Sequence, residues 1–206
     1  MRYPRIHKQL SRQRIVRAAA RAFNRNGFDG VGIADIMKDA GLTQGAFSAH
    51  FSSKDELIRE AIDDAFRSLF LEQHWKNRSL EEMIGDYLSV VHRDGPENGC
   101  PACCLTADVS RLPRRMRETF LVHLYEMLNS IASRLPTNIR GPDRKKMAMS
   151  LFALLLGSIQ LSRVSRGTAL SEAMFDAANK AANRLIGTEA GSRPRSSIVK
   201  KTAFKP

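Results

Sequence analysis

Hydrophobic positions recur at intervals of three and four along most of the chain, as they do on one face of a helix. We find no alternation of period two that would indicate strands. The first apolar series stops at Asn26-Gly27, a pair typical of a helix end. Its members are Ile15, Ala18, Ala19, Ala22 and Phe23. The pattern predicts an all-α protein of about nine helices.

A short helix with an apolar face comes next. Gly41 then stands where a left-handed residue commonly ends a helix. Thr43 can cap a second short helix, over about 44–50, which carries mostly small and polar residues. A helix of two turns is marginal alone, so its exposed side must serve something other than stability. The apolar positions of the first of these helices are Ile33, Ile36, Met37 and Ala40.

Longer helices fill the rest of the chain. Ser53 and Glu56 have the spacing of a capping box and open a helix that reaches about residue 75. Proline or glycine separates several of the later helices. The later helices are predicted over 79–93, 101–111, 113–135, 142–164 and 170–186. The tail 188–206 is polar and basic, and we predict that it is disordered.

The 206 residues carry a net charge of +12, concentrated at the two ends of the chain. Residues 1–57 hold ten Lys and Arg against five Asp and Glu, and residues 188–206 hold five against one. A basic N-terminal region suggests a polyanion as partner, although solubility alone explains such a charge equally well. No run of 18 uncharged apolar residues and no apolar N-terminal segment occurs, so we expect a cytoplasmic protein without a membrane span.

The two short helices and the glycine turn between them have the layout of a helix-turn-helix, whose second helix enters the major groove of DNA. Leu42, Phe47 and Phe51 can face inward. Lys54 opens the next helix, where its ammonium and nearby backbone N–H groups can hold a phosphate. The positions that can face outward are Gln44, Ala46, Ser48, Ala49 and His50.

This region resembles the DNA-binding domain of the TetR family of bacterial transcriptional regulators, over residues 9–69. The resemblance rests on RIVRAAARAFNRNGFDGVGIADIMKDAGLTQGAFSAHFSSKDEL. Ser48 stands where the family usually has a tyrosine that touches a phosphate, and Gly32 where it often has a threonine. The matching positions are Ala19, Phe23, Gly27, Ile36, Ala40, Gly41, Gly45, Phe47, His50, Phe51, Lys54 and Leu57.

The resemblance implies a helix-turn-helix at 32–51 and an effector-binding and dimerisation domain at 76–187. It implies a homodimer that binds palindromic double-stranded operator DNA, most often a repressor released by a small molecule. The DNA contacts it suggests are Gly32, Thr43, Gln44, Gly45, Ala46, Ser48, His50 and Lys54.

The C-terminal helices carry two apolar features that fit dimerisation. Residues 147–161 are apolar nearly all round, as in a helix buried on several faces. A second helix carries an apolar stripe. Two such helices from each subunit could build a four-helix interface, although an ordinary intramolecular core would show the same pattern. The stripe consists of Leu170, Met174, Ala177, Ala181 and Leu185.

Aromatic and methionine side chains could line a pocket for the effector, since they suit an adaptable apolar cavity. Plain core packing is the alternative for each of them. The candidates are Phe66, Phe70, Trp75, Met116, Phe120, Leu124, Met127 and Phe152.

The sharpest chemical feature is the stretch GCPACCLTADVSR. Pro101 suits the first turn of a helix and places Cys100 near its N-cap, where the helix dipole favours a thiolate. Cys100 and Cys103 are then candidates for sensing oxidants or electrophiles, and the resemblance adds that some relatives use a cysteine near this point. Small buried residues and a metal site with His92 or His123 are the alternatives.

Two other functions fit parts of the sequence. Cys100 and Cys103 form a C-x-x-C spacing that thiol oxidoreductases use, but the βαβ context that they need is not readable. A constitutive DNA-organising protein would bind through charge alone. No hydrolase motif is present, and we predict no enzymatic activity, catalytic residue, metal or cofactor.

Overall fold

The computed structural model describes residues 5–72 and 78–187 of the chain. In these two ranges every regular element is helical, as the all-α prediction requires. Two short 3-10 helices are included, Pro96–Asn98 and Gln44–Ala49, the latter referred to below as the recognition helix. The tail 188–206 lies outside the described residues. The α-helices are α1 (Arg5–Asn26), α2 (Ile33–Asp39), α3 (Lys54–Glu72), α4 (Leu80–Tyr87), α5 (Val90–Asp94), α6 (Pro101–Ser110), α7 (Arg114–Arg134), α8 (Gly141–Val164) and α9 (Ala169–Ile186).

The N-terminal helices α1 to α3 pack around one apolar core. Ile15 and Phe23 of α1 are buried, as their spacing predicts. α1 ends at Asn26, and Gly27 follows with a left-handed φ of 73°. Gly41 has a φ of 68° after α2, which sets the sharp turn into the recognition helix.

The recognition helix is shorter and more tightly wound than the α-helix predicted over 44–50. Thr43 stands at its N-cap without a side-chain hydrogen bond. The rings of Phe47 and Phe51 stack with their centroids 5.6 Å apart, and both side chains pack against the core. Packing rather than helix propensity therefore holds this segment, because so short a helix is not stable alone.

The start of α3 uses one half of the predicted capping box. The Ser53 hydroxyl accepts from the backbone N–H of Glu56 at 3.2 Å. The Glu56 carboxylate, in return, accepts from the backbone N–H and the hydroxyl of Ser52. The two hydrogen bonds from Ser52, and after them the hydrogen bond from Arg12, lower the pKa of Glu56 to about 2. Glu56 is therefore a carboxylate at neutral pH and can pair with a cation on α1.

The helix predicted over 79–93 is two helices. α4 ends at Tyr87, and α5 begins at Val90. The Ser89 hydroxyl donates to the carbonyl of Asp86 at 2.7 Å and accepts from the backbone N–H of His92 at 3.2 Å. A serine side chain that bonds to the backbone on both sides competes with a continuous helix, which explains the break.

The long helices α7, α8 and α9 form the C-terminal bundle. α9 buries a stripe next to the predicted one, with Phe175, Ala178 and Ala182 in the core. Ala177 of the predicted stripe is exposed, and Leu170 is 46% exposed. Each of these two adjacent stripes is apolar. The intramolecular core uses one. The other is only partly exposed, because Met174, Ala181 and Leu185 are half-buried.

Among the residues that the structure describes, α8 is long and apolar enough to cross a membrane, by length and composition alone. This qualifies the expectation that no such segment exists. Leu151, Leu155 and Ile159 of α8 are buried in the bundle against its neighbours. The same apolar character is what a soluble core helix requires, so length and composition do not decide between the two.

The pocket candidates whose side chains are described lie mainly in packed core. Phe66, Met116 and Phe120 are at most 5% exposed. The ring of Phe66 meets Phe120 edge-on at 5.4 Å and stacks on His123 at 4.9 Å between ring centroids. This arrangement joins α3 to α7. Of the remaining candidates, Met127 and Phe152 are buried and Leu124 is half-buried, while Trp75 and the side chain of Phe70 lie outside the described residues.

Candidate nucleic-acid interface and cysteine cluster

One edge of the recognition helix is exposed to solvent. Gln44 at its start is exposed, and so is Gly32 at the N-cap of α2. A side chain at Gly45 would meet no atom within 4 Å, so packing within the chain does not require glycine there. The missing side chain leaves room for another surface to approach the backbone closely. The other exposed residues of this edge are Thr43, Gly45, Ser48 and Ala49.

Two residues predicted to face outward are turned partly inward. Ala46 is half-buried and packs against the core. His50 is half-buried too, and its Nδ1 is buried without a hydrogen-bond partner. Burial, followed by the charges of Lys8 and Arg12, lowers the pKa of His50, so its ring is neutral at pH 7. The outward orientation is wrong for Ala46 and incomplete for His50, because so short a helix must bury most of one side.

Arg12 fixes the recognition helix, a role that the sequence did not reveal. Its guanidinium donates to the carbonyl of His50, which ends this helix, and to the carboxylates of Glu56 and Glu60 on α3. It also lies 4.0 Å over the ring of Phe51. One half-buried side chain thus links α1, the recognition helix and α3. The only sequence signal was the spacing of Glu56 and Glu60, one helical turn apart.

The ammonium group of Lys54 makes hydrogen bonds within the chain. Its Nζ donates to the carbonyls of Phe28 at 2.6 Å and Val31 at 2.9 Å. These carbonyls belong to the loop between α1 and α2, so the lysine ties this loop to the start of α3. A phosphate contact would have to use the remaining N–H of the ammonium or the backbone N–H groups of α3.

We expect Lys54→Met to lower the free energy of unfolding by about 1–3 kcal/mol, because two carbonyls lose a charged donor. The salt dependence of DNA binding should change by less than the roughly one unit that a lost phosphate contact gives. Urea denaturation and a salt titration measure the two effects. Lys38→Met, on the exposed side of α2, is the matched control. A stable Lys54→Met protein with a reduced salt slope would restore the phosphate role.

A basic face of α1 lies beside the helix-turn-helix. Arg14, Arg17, Arg21 and Arg25 line a cavity of about 630 Å³ between α1 and α2. The cavity also contains acidic groups, and Arg25 pairs with Glu97 at 2.9 Å. Four of the ten basic residues in 1–57 thus share one face of α1 beside the helix-turn-helix.

Cys100 stands at the N-cap of α6 with Pro101 at the first helical position, as predicted. The inference that the helix dipole favours a thiolate at Cys100 is wrong. Cys100 is 1% exposed, and burial raises the pKa of its thiol to about 11. Desolvation outweighs the helix dipole here, since a buried thiolate loses its hydration. Cys103 is also 1% exposed. A dithiol in a packed core does not suit exchange with substrate disulfides, which weakens the oxidoreductase alternative.

Both histidines of the metal alternative have their ring nitrogens occupied. His92 Nδ1 donates to the carbonyl of Tyr87 at 2.7 Å, and its Nε2 accepts from the backbone N–H of Cys100 at 3.1 Å. Burial lowers the pKa of His92 to about 4, which keeps the ring neutral. His123 lies between Asp63 and Glu126, at 2.9 and 3.1 Å. Across the two described ranges, no group of three potential metal ligands comes together.

A helix-turn-helix with one exposed edge, packed with further helices, defines an all-α helix-turn-helix protein. Comparison with known proteins agrees. Residues 15–61 match the family model described as bacterial regulatory proteins, tetR family. The N-terminal region of this chain is therefore similar to the TetR family over residues 15–61, within an all-α fold.

Relatives are similar to about a quarter of this chain. An HTH-type transcriptional regulator of Bacillus subtilis, YdgC, is 41% identical over 54 residues, which are 26% of this chain and 28% of that relative. The HTH-type transcriptional regulator TtgR of Pseudomonas putida is 42% identical over 55 residues, 27% of this chain and 26% of its own length. The chain thus matches about a quarter of the length of these relatives.

Solved structures resemble the chain over nearly all of its length. A TetR-family transcriptional regulator from Cytophaga hutchinsonii superposes with a TM-score of 0.70 at 21% identity, covering 90% of this chain and 98% of that one. The reduced form of Escherichia coli NemR gives a TM-score of 0.70 at 20% identity, covering 88% and 99%. Likeness at this level of identity establishes the fold.

Proposed function

We propose that the protein is a sequence-specific DNA-binding transcriptional regulator of the bacterial cytoplasm. The observation that carries the proposal is the exposed edge of the recognition helix. That edge comprises Thr43, Gln44, Gly45, Ser48 and Ala49, and Arg12 holds it against α1 and α3. A rigid, polar helix edge of this size suits the major groove. Residues 9–69 form the DNA-binding domain, and residues 76–187 form the effector-binding and dimerisation domain of this proposal.

The regulator acts as a homodimer on a palindromic operator. α8 and α9 leave apolar side chains on the surface, among them Leu161 at 55% and Leu170 at 46% exposed. Small residues on α9, such as Ala177, would let a second copy approach closely. Two-fold symmetry then places the two recognition helices one turn of DNA apart, about 34–36 Å. Repression released by a small-molecule effector is the mode that we propose.

Gln44 is the residue we expect to read a base, since a glutamine amide can bond adenine in a bidentate way. Gln44→Ala should weaken operator binding by about 1–3 kcal/mol and relax the preference at one position in each half-site. Gln13→Ala, which removes the same exposed side chain from α1, is the matched control and should not change sequence preference. Equal loss on operator and random DNA would assign Gln44 a role other than base reading.

Selection of bound duplexes from a random-sequence pool tests the function itself. A palindromic consensus is the expected result, with an affinity for it at least ~10³-fold above that for random DNA. A constitutive DNA-organising protein, the alternative from charge alone, would enrich no sequence and would bind all duplexes alike. Absence of binding to any duplex would refute both.

A further inference from the structure

Helix α1 carries positive charge that its own side chains do not neutralise. Its 22 residues include no aspartate or glutamate, and four arginines line the cavity between α1 and α2. Like charges three or four residues apart on one helix face destabilise the helix. Anions from outside α1 would therefore stabilise this face. The four residues are Arg14, Arg17, Arg21 and Arg25.

The chain supplies a paired carboxylate to one of these arginines. Arg25 forms an ion pair with Glu97 at 2.9 Å. The other three, Arg14, Arg17 and Arg21, take part in no hydrogen bond or ion pair with another residue that the structure describes. Three guanidinium groups on one wall of a cavity are thus available to an anion that is not part of the chain.

The cavity has the size of a ligand site. Its volume of about 630 Å³ falls in the usual range of about 300–1,000 Å³. Arg14 and Arg25 stand about three helical turns apart, roughly 16 Å along the axis of α1. The side chains between them are small, since Ala18 and Ala22 line the same cavity and are half-buried. An elongated molecule fills such a space better than a single inorganic ion.

The wall that α2 contributes is acidic. Asp35 and Asp39 line the cavity and are exposed. Asp39 is the last residue of α2, where the helix dipole disfavours a carboxylate. Helix stability therefore does not explain this aspartate. Carboxylates accept hydrogen bonds from hydroxyl and amino groups, so a matching ligand has an anionic group at one end and hydrogen-bond donors at the other.

We propose that the cavity between α1 and α2 binds a nucleoside monophosphate. Its phosphate contacts the arginines of α1, because a guanidinium group matches phosphate with two parallel N–H···O bonds. Its hydroxyl and amino groups donate to Asp35 and Asp39, and the alanines contact the apolar faces of the sugar and the base. This site goes beyond the proposed function and does not depend on it.

The backbone of duplex DNA matches the cavity less well. It brings a dense row of negative charges and no hydroxyl or amino donor for the two aspartates. Within the described part of the chain, the cavity also shares no lining residue with the exposed edge of the recognition helix. A small phosphate ester with its own donors suits both walls at once.

Isothermal titration of the full chain with AMP, CMP, GMP and UMP, without DNA, tests the proposal. At least one of them should bind ~10-fold or more tightly than inorganic phosphate and than its own nucleoside, as expected when charged hydrogen bonds and donor contacts are combined. If none of the four binds, or if all bind as weakly as inorganic phosphate, the cavity holds adventitious anions only and the proposal is wrong.

Two variants locate the site. Arg17→Gln should weaken binding of the preferred monophosphate by ~10-fold or more, as for a lost charged hydrogen bond. Ala22→Leu fills the cavity without changing its charge and should weaken binding as much. The matched controls are Arg115→Gln on α7 and Ala107→Leu on α6, both at exposed positions. Full affinity in both Arg17→Gln and Ala22→Leu would overturn the proposal.

Asp39→Asn keeps the shape of the cavity and removes one acceptor charge, so it also serves if Ala22→Leu does not fold. It should weaken monophosphate binding and leave the affinity for inorganic phosphate unchanged or higher. Equal affinity of Asp39→Asn and the unchanged chain for the monophosphate would contradict the two-wall arrangement.

A salt titration of duplex binding separates a free nucleotide from the DNA backbone as the occupant. If Arg17→Gln lowers the salt slope by about one unit while no monophosphate binds, the backbone occupies the cavity and the proposal is wrong. Failure of the unchanged chain to bind any duplex refutes the proposed regulator alone, because the nucleotide titration contains no DNA.

Discussion

Ala177→Arg is expected to turn the proposed dimer into a folded monomer and to reduce operator affinity by ~10²-fold or more. Ala177 is exposed on the apolar side of α9 that the bundle leaves free. In an isologous interface the new charge would meet its own copy in an apolar contact, at a high desolvation cost. A monomer reads one half-site only and loses the gain from two linked contacts. Sedimentation velocity and a palindrome titration measure the two effects.

Two further variants make this result specific. Ala107→Arg places the same charge on an exposed position of α6 and should leave the dimer intact. Leu155→Glu, on α8, is expected to unfold the chain instead, since Leu155 is 5% exposed in the core. A folded, dimeric Ala177→Arg protein with unchanged affinity would place the interface elsewhere.

Phe66→Ala should lower the free energy of unfolding by about 3–5 kcal/mol, the usual cost of emptying a buried phenylalanine site. Phe66 is fully buried and its ring contacts Phe120 and His123, so nothing but a cavity would replace it. Urea denaturation measures the loss. Leu121→Ala, on the exposed side of α7, should cost less than about 0.5 kcal/mol. If Phe66→Ala lowers the free energy of unfolding only slightly, a cavity already exists there, which would favour the effector-pocket hypothesis.

Local signals made the N-terminal region predictable. The left-handed Gly41, the cap at Ser53 and the helix end at Asn26 depend on neighbours a few residues away, and the structure has all three. The exposed edge of the recognition helix could be located for the same reason. The inward turn of Ala46 could not be foreseen, because it depends on packing against distant helices.

Contacts between distant residues account for what the sequence missed. Arg12 reaches groups 38 to 48 positions away, and no local pattern marks it. Among the cysteines, the helix N-cap favoured a thiolate at Cys100, but burial by distant residues raises the pKa of that thiol. On α9 two adjacent stripes are both apolar, and only the fold shows which one the core takes.

Affinity for the selected palindrome with and without inserted base pairs tests the central claim most directly. A dimer with fixed recognition helices requires both half-sites on one face of the DNA. Inserting about five base pairs, half of the ~10.5-bp turn, moves one half-site to the opposite face. The proposed regulator should then lose ~10²-fold or more in affinity, and restoring a whole turn should recover part of it. Equal affinity for all three spacings would contradict the claim that a two-fold dimer reads this DNA.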